Sequence, residues 1–271
     1  MTRQHCSAPF ALPKQEIFQK QAKSVSAHGG PTDVSPWGLH YYTPILGYHR
    51  IGAARQDHVP TVSPEAFERQ LACLARHHYR VLSFVELAER LRQGAAMPRH
   101  SAVITFDDGY EETHRLAWPL LKQFGFSAIV FVNPGEIGFP GFATWEQLAQ
   151  MAREGMLIGN HTMHHRYVPS LKAGELITEL VDSKRVIEQR VGRAVDIFSY
   201  PIGGFTRPAQ EVIREAGYLA ACTTNRAWSR WELDRFALRR VKVTERDRSP
   251  WLFRAKLSGY YDLFRQLKPP A

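Results

Sequence analysis

Ala102-Val-Ile-Thr-Phe-Asp107-Asp108-Gly109 decides how this chain is read. Ala102 to Phe106 is a short apolar run, which predicts a buried strand. It runs straight into two adjacent carboxylates and a glycine, so chemistry-bearing groups stand at the strand's C-terminal end. Similar short apolar runs recur at Pro44–His49, Ser127–Val132, Met156–Asn160, Val195–Tyr200 and Leu219–Thr223. Helical patterns lie between them. Ser63 caps a helix with Pro64 at its first position and Phe67, Leu71 and Leu74 on one face. Ser83-x-x-Glu86 reads as a capping box, with Leu87 and Leu91 following. Leu116, Leu120 and Leu121 suit a helix whose bounds Pro119 blurs, and Thr144-x-x-Gln147 opens another. A longer helix spans residues 172 to 190 with Gly192 as its stop, and one over 208 to 216 ends at Gly217. Strands alternating with helices predict an α/β fold with a parallel sheet. Six or seven units between Thr43 and Thr244 favour a closed barrel over an open sheet. In such barrels reactive groups sit where the strands end.

The flanks read differently. Residues 1–40 carry no sustained period and predict an irregular N-terminal extension, with a short helix near residues 14 to 23. The barrel is expected over 41–248. Residues 249–271 predict a helical tail (Trp251, Leu252, Phe253, Leu257, Tyr260, Leu263, Phe264) that packs on the barrel or on a partner.

Composition sets outer bounds. The 271 residues are 44% hydrophobic and 23% charged, ordinary for a globular chain with a sizeable core. No apolar stretch is long enough to span a membrane, and the N-terminus has no apolar signal region. The expected location is therefore cytoplasmic or peripheral to the inner membrane. Cys6, Cys73 and Cys222 are too few for a disulfide framework and fit a reducing compartment; Cys73 and Cys222 read as core residues. The net charge of +9 would attract anions. The basic residues that thicken after Arg226 form no unbroken run and accompany no nucleic-acid-binding motif, so nucleic acid is not an expected partner. Peripheral contact with a membrane surface and the oligomeric state stay open.

Two adjacent carboxylates repel, and a cation resolves the conflict: Asp108 binds it while Asp107 stays free as a base. Taken alone, Asp-Asp-Gly is as well explained by a solvated turn. His161-Thr-Met-His-His165 presents histidines at i and i+4, the same side of a helical turn, with Thr162 bonding nearby backbone and His164 out of phase. A surface histidine cluster is the bland alternative. Together, one carboxylate and two imidazoles complete a hydrolytic metal site, and the bland readings lose ground. The ion is expected to be Zn²⁺, with Co²⁺, Ni²⁺ or Mn²⁺ as alternatives. Phe198-Ser-Tyr-Pro-Ile-Gly203 is a Tyr-Pro turn at a strand end, suited to aiming backbone N–H groups at an oxyanion.

From about Pro44 to Thr244 the chain resembles the NodB-like polysaccharide deacetylases, carbohydrate esterase family four. Thr105–Gly109 is similar to the family's first motif, His161–His165 to its second and Tyr200–Gly203 to its third. The opening Leu46–His49 resembles the branch acting on exopolysaccharides such as poly-N-acetylglucosamine. The resemblance implies a deformed (β/α)7 barrel that removes N-acetyl groups from an amino-sugar polysaccharide or oligosaccharide. It implies Asp107 as general base, Asp108, His161 and His165 as metal ligands, and the Ile202 backbone N–H as oxyanion donor. Tyr200, Pro201 and Trp145 are the implied substrate contacts, with Phe205 and Trp228 as further sugar-stacking candidates. Two departures stand out. Ser199 replaces an Arg that usually orients the catalytic Asp; Arg240, in Asp234-Arg-Phe-Ala-Leu-Arg-Arg240, is the candidate substitute. No His follows His165, so the family's late general acid is missing, and either Asp107 or His49 must return the proton. The alternatives are hydrolysis of another amide or ester (an O-acetyl glycan, a formylated sugar, a small cyclic amide) and a catalytically weak glycan-binding protein.

Overall fold

The computed structural model describes residues 43–53, 57–224 and 234–258. The N-terminal extension, Cys6, Trp228 and the tail residues Tyr260, Leu263 and Phe264 lie outside them.

Seven parallel strands close on themselves: β1 (Ile45–Tyr48), β2 (Ser101–Phe106), β3 (Ile129–Val132), β4 (Leu157–Asn160), β5 (Ile197–Ser199), β6 (Ala220–Thr223) and β7 (Leu238–Lys242). Ile45 closes the ring, opposite Val103 on one side and Arg240 on the other. This is the (β/α)7 barrel that the alternation and the resemblance predict. Its pairing is uneven: β3 and β4 share the register Ile129–Val132 against Leu157–Asn160, whereas β4 meets β5 only at Asn160 and Phe198. Six strands follow the apolar runs. The seventh, Leu238-Arg-Arg-Val-Lys242, carries three cations and is invisible to a search for apolar segments.

Side chains alternate across each strand, and the barrel converts that alternation into layers. One register faces out, beneath the helices: Leu46, Tyr48, Ile104, Phe106, Val130, Val132 and Phe198 pack there with Phe67, Leu71, Leu121, Leu148 and Leu180. The other faces in. Ile45, Val103, Ile129, Phe131, Ile197, Cys222 and Leu238 fill the barrel and meet Leu82 together with Phe84 and Leu87 from the helix Phe84–Gln93. Gly159 shares this inward register; a Cβ there would stand 2.5 Å from Phe131, so glycine is needed for the aromatic plug to fit. Continuing the same registers toward the C-terminal ends reaches His49, Thr105, Asp107, Asn133, His161, Ser199 and Arg240. One polar layer therefore caps the apolar plug.

The helix starts largely follow their caps. Ser63 accepts from the Ala66 N–H, and Thr144 and Gln147 form a reciprocal capping box. Ser83 caps its helix alone, since the Glu86 carboxylate pairs instead with Arg80 and Arg90. Pro119 follows a π-helical turn, Thr113–Ala117, in a helical run that continues as Trp118–Phe124. The long helix is three pieces: Ala173–Leu176, a π-helical turn Ile177–Asp182, and Ser183–Val191 stopped by Gly192 at φ 70°. Pro250–Leu257 lays Phe253 and Leu257 into the core. No helix among the described residues is long and apolar enough to cross a membrane.

Candidate metal centre and catalytic site

Asp107 continues the inward register of β2. Asp108, its neighbour, would point away on a straight strand. The chain instead turns left-handed at both Asp108 (φ 70°) and Gly109 (φ 74°), which brings the second carboxylate round to the same site. Aspartate tolerates this conformation better than most residues.

His161 follows β4 and enters from the inward face. Its Nδ1 lies 2.7 Å from the Ser199 carbonyl oxygen. That oxygen only accepts, so Nδ1 carries the proton and Nε2 keeps its lone pair toward the site. One donor atom each from Asp108, His161 and His165 lie within 4.8 Å of one another. His161 Nε2 is 3.6 Å and His165 Nε2 3.4 Å from Asp108 Oδ1, a buried oxygen that no hydrogen-bond donor satisfies. An unsatisfied buried carboxylate oxygen facing two imidazole nitrogens fits a cation.

The helical-turn rationale for His161 and His165 is corrected here. The segment is an irregular loop, left-handed at Thr162 (φ 69°) and His165 (φ 52°), and the ring centroids come to 5.0 Å by that route. Nor does the Thr162 hydroxyl hold the loop, being buried without a hydrogen-bond partner. Asn133, which the sequence reading missed, donates from its side-chain amide to the His161 carbonyl. Its signal was present: it lies two residues past Phe131 on the inward register. His164 turns away and bonds Glu179, consistent with its exclusion as a ligand.

Beside the cluster, Arg240 grips Asp107 with two bonds of 2.7 Å, Nη1 to Oδ1 and Nη2 to Oδ2. Arg240 also donates to Thr105 Oγ1 at 3.1 Å and to Ser199 Oγ at 3.0 Å. Ser199 thus helps seat the arginine that arrives from β7. His49 Nε2 stands 3.7 Å from Asp107 Oδ2.

Comparison with known proteins converges on one family. Residues 94–221 match the family model described as polysaccharide deacetylase. That stretch resembles a polysaccharide deacetylase domain. It is 29% identical over 244 residues to the Bacillus subtilis (strain 168) protein named "Putative polysaccharide deacetylase YxkH", covering 89% of this chain and 86% of that one. Poly-beta-1,6-N-acetyl-D-glucosamine N-deacetylases are more distant. That of Escherichia coli (strain K12) is 25% identical across 49% of this chain and 22% of its own length. That of Staphylococcus aureus (strain MRSA252) is 26% identical across 58% and 59%. Among solved structures, IcaB from Ammonifex degensii superposes with a TM-score of 0.68 at 26% identity, covering 80% of this chain and 97% of that one. The Streptococcus pyogenes deacetylase PplD shares the fold, with a TM-score of 0.71 at 23% identity, covering 84% and 98%.

Within the site, electrostatics separate the two adjacent carboxyls. Burial pushes Asp107 up, but Arg240, His161 and His49 outweigh it and hold the carboxyl below its usual range. For Asp108, burial and the neighbouring Asp107 charge prevail and push it up to about 6. Burial also drives His161 down to about 3, so it stays neutral and able to coordinate.

Three implied substrate contacts do not present themselves as such. Tyr200 is 1% exposed, with its hydroxyl bonded to the Phe236 carbonyl at 3.0 Å, and Pro201 is buried beside it. Neither side chain offers surface to a glycan. Trp145 packs against the core and under the Arg190 guanidinium. Ile202 adopts φ 59°, a conformation that β-branched residues rarely take, and is 69% exposed.

Proposed function

We propose that this chain hydrolyses N-acetyl groups on an amino-sugar polysaccharide or oligosaccharide, with a divalent metal held by Asp108, His161 and His165. The observation that carries the reading is the pairing of two unlike carboxyls in one polar layer. Asp107 is clamped ionised by Arg240, and Asp108 Oδ1 is left unsatisfied facing two imidazoles. A divalent ion in that cluster supplies Lewis-acid activation of water and of the acetyl carbonyl. Asp107 takes the proton of the attacking water, and Arg240 keeps it ionised and aimed. The Ile202 backbone N–H serves as the oxyanion donor. The amide C–N bond then breaks, acetate departs, and the amine receives a proton returned by Asp107 or His49. No later histidine exists in the chain to do so.

Acetate release from N-acetylated glucosamine oligomers, measured with Zn²⁺-loaded protein, tests the proposal. Asp107→Asn should lower turnover by about 10²–10⁴-fold, the usual contribution of a general base. Absence of acetate from every N-acetylated glycan, or a mutant as fast as wild type, rejects it. Release only from O-acetylated or formylated substrates would favour the alternative amide or ester chemistry on the same site.

A further inference from the structure

Glu179 is a buried carboxylate that the mechanism does not use. It is 3% exposed, and its oxygens accept from the His164 backbone N–H at 3.0 Å and from His164 Nδ1 at 2.9 Å. His164 belongs to the loop that carries both histidine ligands, so a carboxylate has been buried to hold that loop rather than to touch an ion.

The element that presents Glu179 is unusual. Ile177–Asp182 is a π-helical turn inside an otherwise α-helical run. Such turns are rare, disturb the regular ladder of carbonyls and recur at functional sites. Here the carbonyls around it have defined partners. Ser183 Oγ donates to the Glu179 carbonyl at 2.7 Å. The Asn160 side-chain amide lies 2.6 Å from Ser183 Oγ and donates to the Leu180 carbonyl at 3.3 Å, and the Tyr218 hydroxyl donates to the same carbonyl at 2.8 Å. Asn160 is the last residue of β4, directly before His161. The π-turn therefore grips the ligand loop at both ends, through Asn160 before His161 and through Glu179 at His164. The loop holds two non-glycine residues left-handed, Thr162 between those grips and His165 directly after the second, each costing about 1–3 kcal/mol unless the surroundings impose it.

We propose that Glu179, presented by the π-helical turn, is a positioning residue that fixes the His161–His165 loop in its metal-binding conformation and thereby sets the affinity of the site. The inference rests on the metal-site reading above.

Titration of the metal-free full-length chain with Zn²⁺ against a chelator, and with Co²⁺ followed by its visible absorption, tests it. Glu179→Leu should weaken Zn²⁺ binding by roughly 10–100-fold, the range for groups that orient ligands, and alter the Co²⁺ spectrum. Glu179→Gln, which still offers an acceptor to the His164 N–H, should recover most of the affinity. Wild-type affinity and an unchanged Co²⁺ spectrum in a folded Glu179→Leu protein would overturn the proposal. If that variant fails to fold, Glu179→Asp is the deciding protein. It keeps the charge and withdraws the acceptor by one methylene, so undiminished affinity there overturns the proposal equally. Wild-type protein that binds no divalent ion would instead remove the metal-site reading itself.

Discussion

The two halves of the site are built in different ways. Asp107, His161, Ser199 and Arg240 ride on strands or continue their inward registers, so the barrel that forms the core also aims the base, one ligand and the arginine clamp. Asp108 and His165 sit in loops at left-handed angles: Gly109 continues the turn after one, and Asn133 and Glu179 bond the loop around the other. The strand-borne half inherits its precision from packing. The loop-borne half costs backbone strain that the tertiary structure must offset, which makes it the more easily retuned.

Replacing Arg240 should have the largest effect. It is 4% exposed and paired with a 2% exposed Asp107, so Arg240→Leu leaves a buried charge uncompensated. Denaturant unfolding should show a loss of about 3–5 kcal/mol, together with loss of deacetylation. A stable, active Arg240→Leu protein would mean that the strand-borne half does not depend on this pair. In the loop-borne half, His165→Ala should weaken Zn²⁺ binding by more than the roughly 100-fold upper end for orienting groups. It should leave the unfolding midpoint of the metal-free chain nearly unchanged, because the side chain is half-buried at the loop end. Equal destabilisation by both substitutions would erase the contrast between the halves.

A pH titration sharpens it further. Protons compete with the ion for Asp108, whose carboxyl is pushed up to about 6 in the metal-free chain. Zn²⁺ affinity should therefore fall as the pH is lowered through about 6, where an ordinary aspartate would hold its ion to lower pH. Calorimetry at several pH values should also register proton release on binding below that point; a flat profile from pH 7 to 5 contradicts the assignment. The smallest effect is expected far from either half. Thr144→Ala removes one side of the capping box on Trp145–Arg153 and should cost about 1 kcal/mol of stability with no change in metal affinity or turnover.

Much of this arrangement was legible in the residues. The six apolar strands, the caps at Ser63 and Thr144, the glycine stop at Gly192 and the polar motifs at strand ends all follow from local rules. The Asp107–Arg240 partnership, suggested by a departure from the family pattern, is met by a bidentate pair. Local rules failed where a residue's role depends on its partners. The seventh strand carries in Arg240 a buried cation that the polar barrel mouth accommodates, and the histidine pair resembled a helical turn by spacing alone. Tyr200 resembled a ligand contact until its hydroxyl found the Phe236 carbonyl.

The sequence by itself determined the alternation of strands and helices, hence the barrel and the layer of inward residues at its mouth, because side-chain direction on a strand depends on parity alone. Only the tertiary structure decided how Asp108 and His165 reach the common centre and what keeps them there. Left-handed backbone at non-glycine positions is unfavourable locally and persists only when other groups hold it in place, as Asn133 and Glu179 bond the histidine loop.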